Sequence, residues 1–203
     1  MNYLSIYLAG NIQKNHENKS TVYWTDHDCQ VIQEALFPVQ ISFLNPALRT
    51  DDLTDQKAVF GRDMAQVFCA DIVFVDARER RGLGVGAEMM WAKINEIPVI
   101  TLAPKNSHYH KDKVVMLGET LSNWVHPFVE SLSDVLVETV GEGAEWVSKF
   151  FKGETGSIKG IQSIKVAMAH YKKTGLKHDL PMVDLSARNH DLRKKISEIG
   201  SLI

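Results

Sequence analysis

Short apolar runs alternate with longer stretches whose apolar residues recur every three or four positions, and that rhythm predicts strands alternating with helices. Tyr3–Leu8 is rich in β-formers and ends at Ala9-Gly10, as the first strand of a buried sheet does. A polar segment over Asn11–Ser20 reads as a loop, Thr21–Leu36 as a helix and Val39–Leu44 as the second strand. Asn45-Pro46 and the acids around Asp51-Asp52 mark a loop before a helix over Asp55–Ala70, which carries Phe60, Met64, Val67 and Phe68 on one stripe. Asp71–Asp76 is the strongest strand. Ala77–Gly86 reads as a charged, glycine-rich loop, Ala87–Asn95 as a helix and Ile97–Leu102 as the fourth strand. The spacing then predicts a long loop over 103–123, a fifth strand over His126–Val129 and a closing helix over Ser133–Phe151.

Strand–helix alternation predicts an α/β fold: a doubly wound, flavodoxin-like sheet of five parallel strands in the order 2-1-3-4-5. In that order the switch point lies between strands one and three, and ligands bind outside the carboxyl ends there. The loops after Leu8 and after Val75 should line the site. Gly153–Gly160 resembles a linker, and Ile161, Ile164, Met168 and Tyr171, then Leu192, Ile196 and Ile199, fall at helical spacing. The expected organisation is therefore an α/β domain over 1–151 and a helical extension over 152–203.

Charge separates the same two parts. Residues 1–150 hold 13 Lys and Arg against 20 Asp and Glu, whereas 151–203 hold 10 against 5. A formal net charge of −2 gives no reason for binding nucleic acid as a whole chain, and the apolar stripe of the basic tail argues for packing before nucleic-acid contact. Two cysteines, Cys29 and Cys69, make no disulfide framework and suit a reducing compartment. With no membrane-length apolar run, the expectation is a soluble cytoplasmic protein.

Gly82-Leu-Gly-Val-Gly-Ala-Glu88 stands between a strand and a helix, where glycines let a ligand approach the backbone and helix-terminal N–H groups face it. It does not fit the dinucleotide pattern G-x-G-x-x-G, and it follows the third strand rather than the first. On this reading Glu88 lies in the first turn of its helix, where the dipole keeps a carboxylate ionised. Asp63 borders the buried stripe of the preceding helix, and Asp71 and Asp76 bracket strand three. A pair such as Asp63 and Glu88 can divide nucleophile and acid roles. His108-x-His110 lacks accompanying Cys or carboxylate ligands at familiar spacing, so no metal is expected, and no cofactor.

Ile6-Tyr7-Leu8-Ala9-Gly10, Arg62-Asp63 shortly before Ala70-Asp71, the strand Ile72–Val75 and Gly84-x-Gly86-x-Glu88 together resemble the nucleoside 2-deoxyribosyltransferase superfamily over residues 3–130. Leu83-Gly84-Val85-Gly86-x-Glu88 is closer to its 2′-deoxynucleoside 5′-phosphate N-hydrolase branch than to the transferases, whose opening acid is missing here. The resemblance implies Glu88 as the nucleophile on the anomeric carbon, Tyr7 as its positioning group and Asp63 as the contact or proton donor to the departing base. It also implies a homodimer or larger homo-oligomer, with a neighbouring subunit supplying a residue for which Ser122 or Asn123 is the candidate.

Where the hydrolase branch has a phosphate-binding serine, this chain has Gly82. A phosphate contact then falls to Arg80 or Arg81, aided by Asn11 and the amides after Gly10. The candidate substrate-binding set is Gly10, Asn11, Asp76, Arg80, Arg81, Gly82, Gly84, Gly86 and Asn123. The expected function is cleavage of the N-glycosidic bond of a (deoxy)nucleoside or its 5′-monophosphate. The alternatives are transfer of the sugar to another base and a non-catalytic nucleotide-sensing module.

Overall fold

The computed structural model describes residues 2–11 and 23–200. The predicted loop after Gly10 and the start of the first helix, at 12–22, lie outside the described residues. The chain divides into two compact units, Met1–Lys159 and Gly160–Ile203.

The first unit is built on β1 (Tyr3–Ala9), β2 (Gln40–Leu44), β3 (Ile72–Asp76) and β4 (Val99–Leu102). With β7 (Val135–Val137) these form one five-stranded parallel sheet in the order β2-β1-β3-β4-β7. That is the doubly wound order read from the sequence, with Val135–Val137 as the fifth strand. The helices α1 (Asp26–Ala35), α2 (Gln56–Phe68), α3 (Leu83–Ile94) and α4 (Pro127–Leu132) lie between the strands, and α5 (Val140–Phe151) follows the last of them.

Alternation along each strand sends neighbouring side chains to opposite faces. Ile6, Leu8, Ile72, Phe74, Ile100 and Leu102 bury against Trp24 and Ile32 on the α1 side and Ala144 and Val147 of α5. The residues between them, including Tyr7, Val73, Val75, Val99 and Thr101, are buried too, and α3 packs on β3 and β4 with α2 beside it. Burial on both faces explains why these strands read as unbroken apolar runs.

Three predicted elements need correction. The long loop over 103–123 contains a hairpin, β5 (His110–Met116) and β6 (Glu119–Val125), paired antiparallel. Most of it is exposed, and its apolar residues cluster rather than alternate, so no one-sided apolar pattern announces it. Its two-residue turn holds Leu117 and Gly118 at positive φ of 50° and 85°, a primed turn lacking the usual Asn-Gly signature. The predicted strand over His126–Val129 is instead α4, opened by Pro127 at its first helical position. The closing helix does not start at Ser133: β7 intervenes, and Thr139 caps α5 with a reciprocal Thr139–Glu142 box.

The second unit comprises α6 (Ile161–Thr174), α7 (Leu180–Arg188) and α8 (His190–Glu198), with a single 3₁₀ turn over Leu176–His178. Asp179 and Asn189 cap α7 and α8 through their side chains. Among the described residues no helix is long and apolar enough to cross a membrane.

Candidate active site

Helix α3 decides the geometry of the site. It begins at Leu83, with Gly82 as a cap that offers no side-chain bond, rather than at Ala87. The glycines that read as loop are helical because the segment lies on the sheet, and tertiary packing overrides their weak intrinsic preference. Glu88 therefore sits in the second turn, not the first. It is 8% exposed, so the first-turn carboxylate expected from the sequence to be kept ionised by the dipole is instead a buried second-turn one.

Burial dominates the chemistry of Glu88. Loss of water pushes its carboxyl up to about 7 from an ordinary 4.5, the charge of Asp63 adds to the rise, and the Tyr7 hydroxyl opposes it. Tyr7 lies on β1 in register with Leu44 of β2 and Val73 of β3, fully buried at the carboxyl end of the sheet. Its phenol is raised far above the ordinary tyrosine range, first by burial and then by the negative charge on Glu88 and, more weakly, Asp63. The phenol–carboxylate contact is electrostatic rather than a well-aligned bond: Tyr7 Oη and Glu88 Oε2 are buried with no aligned partner among the described residues.

The second acid, Asp63, arrives on α2. Trp91 Nε1 of α3 donates to the carbonyl oxygen of Met64 at 3.1 Å, which ties the turn carrying Glu88 to the turn carrying Asp63. Asp63 Oδ1 is 3.3 Å from Arg62 Nη1 and 3.8 Å from Arg49 Nη1. Arg49 comes from the β2–α2 loop and grips Asp51 with two bonds of 2.9 and 2.6 Å. That fork holds the Asp51 carboxyl at about 2. Arg49 was not among the residues singled out from the sequence. Its placement in a loop at the carboxyl end of a strand was the available signal.

The remaining predicted residues fall into a separate neighbourhood. Asp76, at the end of β3, has no exposure and is neutralised by two arginines: Arg78 Nε at 2.9 Å and Arg81 Nη2 at 3.0 Å. Arg81 also donates through Nε to the carbonyl oxygen of Asp76, and its side chain is 3% exposed. Its charge is thus committed inside the protein. Arg78 reaches on to Asp28 of α1 at 3.2 Å and lies 5.7 Å over the Trp24 ring. Gly10 passes this hub so closely that a Cβ there would stand 3.3 Å from both Asp76 Cβ and Trp24 Nε1. A larger residue at Gly10 would have to displace one of them. Asn11 follows at the edge of the described chain.

Arg80 is exposed and lines a cleft of about 630 Å³ with Gly82, Gly86, Tyr109, His126 and Phe128. This cleft lies on the side of α3 that carries Val85, Gly86, Met89 and Met90. Gly84 instead shares the Glu88 side, where a Cβ would be 3.8 Å from Oε1. Asn123 belongs to the β5–β6 hairpin, its Oδ1 3.4 Å from His110 Nε2. His110 Nδ1 is 3.0 Å from the Ala103 carbonyl oxygen. Among the described residues no cluster of three or more His, Cys, Asp or Glu side chains is arranged to hold a metal. The structure thus brings Tyr7, Asp63 and Glu88 together, and leaves Arg80, Gly82 and Gly86 on the other side of one helix and Asn123 on the hairpin.

Replacing Tyr7 by Phe removes the group that favours ionised Glu88. The Glu88 carboxyl should then titrate above 7, and any rate that requires its anion should need more alkaline solution. An acid limb of the pH–rate profile that stays in place in Tyr7→Phe would show that Tyr7 does not act on Glu88.

No protein-family model and no curated protein sequence matches the chain. Among solved structures, it is similar to a 2-deoxyribosyltransferase from the psychrotolerant bacterium Bacillus psychrosaccharolyticus. The two are 16% identical, the match covers 69% of this chain and 90% of that one, and the TM-score is 0.45.

Proposed function

We propose that the chain cleaves the N-glycosidic bond of a (deoxy)nucleoside or its 5′-monophosphate through a covalent glycosyl-enzyme on Glu88. The observation that carries this reading is a buried carboxylate at about 7, beside a buried tyrosine and a second acid, at the carboxyl end of a parallel sheet. An oxygen of ionised Glu88 attacks the anomeric carbon and forms an ester. The C1′–N bond breaks with its electron pair passing to the base nitrogen, through an oxocarbenium-like transition state that the Glu88 carboxylate stabilises, while Asp63 contacts the departing base or gives it a proton. Water then cleaves the ester in a hydrolase, or a second base does so in a transferase. The wording Leu83-Gly84-Val85-Gly86-x-Glu88, which resembles the hydrolase branch, favours water.

The test is incubation with a panel of nucleosides and monophosphates, with and without an acceptor base, and chromatographic separation of the products. Free base from at least one substrate is expected, with sugar released to water. Sugar moved to an added base faster than to water would assign transfer. Nucleotide binding without base release would leave a sensing module.

The structure also sharpens the phosphate question. Arg80 is the exposed cation beside the uncapped start of α3, where free N–H groups favour an anion. A charge-assisted contact contributes roughly 1.5–3 kcal/mol, about 10- to 100-fold in kcat/KM. Arg80→Ala should erase that preference for the monophosphate and spare nucleoside cleavage. Arg81→Ala should instead destabilise the fold, because it uncovers the buried charge of Asp76. An Arg80→Ala protein that keeps its monophosphate preference would remove Arg80 from the site.

A further inference from the structure

Two arginines converge on one oxygen of Asp63. Arg62, its neighbour on α2, places Nη1 3.3 Å from Asp63 Oδ1, and Arg49 of the β2–α2 loop places its own Nη1 3.8 Å from the same atom. Neither guanidinium is free to swing. Arg49 is held along its Nε and Nη2 edge by Asp51. Arg62 donates through Nη2 to the Leu48 carbonyl oxygen at 2.8 Å and through Nη1 to that of Pro46 at 3.4 Å, and its Nε lies 3.8 Å from Asp51 Oδ1. Both cations are therefore anchored on the β2–α2 loop while they grip α2 at Asp63. The three side chains are mostly buried, so these pairs are screened less than surface ones. Every ion pair of Asp63 uses Oδ1, and Oδ2 has no hydrogen-bond partner among the described residues. The Asp63 charge acts on both Tyr7 and Glu88, and the Arg62 charge opposes its effect at Tyr7.

Resting on the glycosidase reading above, we propose that Arg49 and Arg62 are positioning residues, which clamp Asp63 by Oδ1 and so hold its other oxygen in place to act on the departing base. An aspartate left to itself turns among several rotamers, and the like charge of Glu88 favours those that point away from it. Two fixed cations on one oxygen select a single orientation and offset that repulsion, so Asp63 stays beside Glu88 instead of turning to solvent. A guanidinium keeps its charge at every working pH, and its anchored position avoids reorganisation during the reaction. Asp51 is the outer part of the same device, because its fork fixes Arg49. In this arrangement neither arginine touches the sugar or the base. Both act through Asp63 alone, and removing either matters only while Asp63 is present.

The experiment is a double-mutant cycle on the full chain. Base release is measured on the natural 2′-deoxynucleosides and their 5′-monophosphates, and kcat and KM are determined on the one cleaved fastest, for wild type, Arg49→Gln, Asp63→Ala and the double variant. Arg49→Gln should lower kcat about 10- to 100-fold, the scale of a catalytic group displaced by about 1 Å, with KM changed less. Introduced into Asp63→Ala it should cost no more than about twofold, because the interaction it serves is already gone. Arg62→Gln should follow the same pattern. Arg49→Lys keeps the charge without the fork, should lose less than Arg49→Gln, and carries the cycle should Arg49→Gln fail to fold. The full Arg49 loss recurring in Asp63→Ala, an Arg49→Gln protein as fast as wild type, or an Asp63→Ala protein with unchanged kcat would overturn the clamp and leave the glycosidase reading intact. A wild-type protein that releases no base from any member of the panel would sink both together.

Discussion

Glu88→Gln is expected to lower base release by at least about 10³-fold, the scale on which loss of a covalent nucleophile is felt, and at the same time to make the protein more stable above neutral pH. Both effects come from burial of one carboxylate. In the unfolded chain Glu88 titrates near 4.5 and in the folded protein near 7, so between those values the folded state holds the proton more tightly. Stability conferred by the neutral form is complete below 4.5 and is lost as pH rises through 7. At about 1.4 kcal/mol per pH unit, the cost at pH 8 is roughly 3 kcal/mol. An uncharged isostere carries none of it. Thermal melts at pH 5 and pH 8 should show the Gln variant gaining much more on wild type at the higher pH, while wild-type kcat/KM rises through about pH 7 to a plateau. Near-normal turnover in a folded Glu88→Gln protein would remove Glu88 as nucleophile. A stability difference equal at both pH values would show that its carboxyl is not raised by burial.

The central sheet was legible because β1, β3 and β4 are buried on both faces, and a chain segment with no wet side has to be apolar throughout. The hairpin and β7 were not. One is solvated on most of its length, and the other is three residues long between Ser133 and the Thr139 cap. The misplaced start of α3 had the largest consequence, since it changed Glu88 from a helix-end anion to a buried acid. Glycine content argues for a loop locally, and only the sheet beneath the segment overrules it.

Position along the chain paired Asp63 with Glu88, but only the resemblance of short motifs added Tyr7, and the fold places all three on one side of α3. Arg78, Arg80 and Arg81 are equivalent as letters. The turn after β3 aims the first and third at Asp76 and leaves the second in solvent, which no residue count distinguishes. Arg49 illustrates the opposite error. A loop arginine is ordinarily solvated, but here it lies against Asp51 and Asp63 at a strand's carboxyl end.

Away from the site, Asp134→Asn should cost about 3–5 kcal/mol of stability, the usual consequence of stripping the partner from a buried charge. Asp134 follows α4 and is 3% exposed; its Oδ2 takes Lys93 Nζ and the Val99 N–H at 2.6 Å, and its Oδ1 takes the Lys159 N–H at 2.5 Å. Lys93 has no exposure, and burial pulls its ammonium below the ordinary lysine value against the pull of Asp134. Without the carboxylate that depression deepens. A lysine lowered in the folded state binds its proton more weakly there than in the unfolded chain, so stability rises with pH across the interval. The Asp134→Asn deficit should therefore shrink between pH 7 and pH 10, and Lys93→Met added to Asp134→Asn should recover most of it, because methionine removes the unpaired buried charge while the Asn amide oxygen can still accept from a backbone N–H. Urea titrations of the two single variants and the double variant measure all of this. A deficit below about 1 kcal/mol, or a double variant no better than Asp134→Asn alone, would show that the Lys93 charge is not what Asp134 compensates.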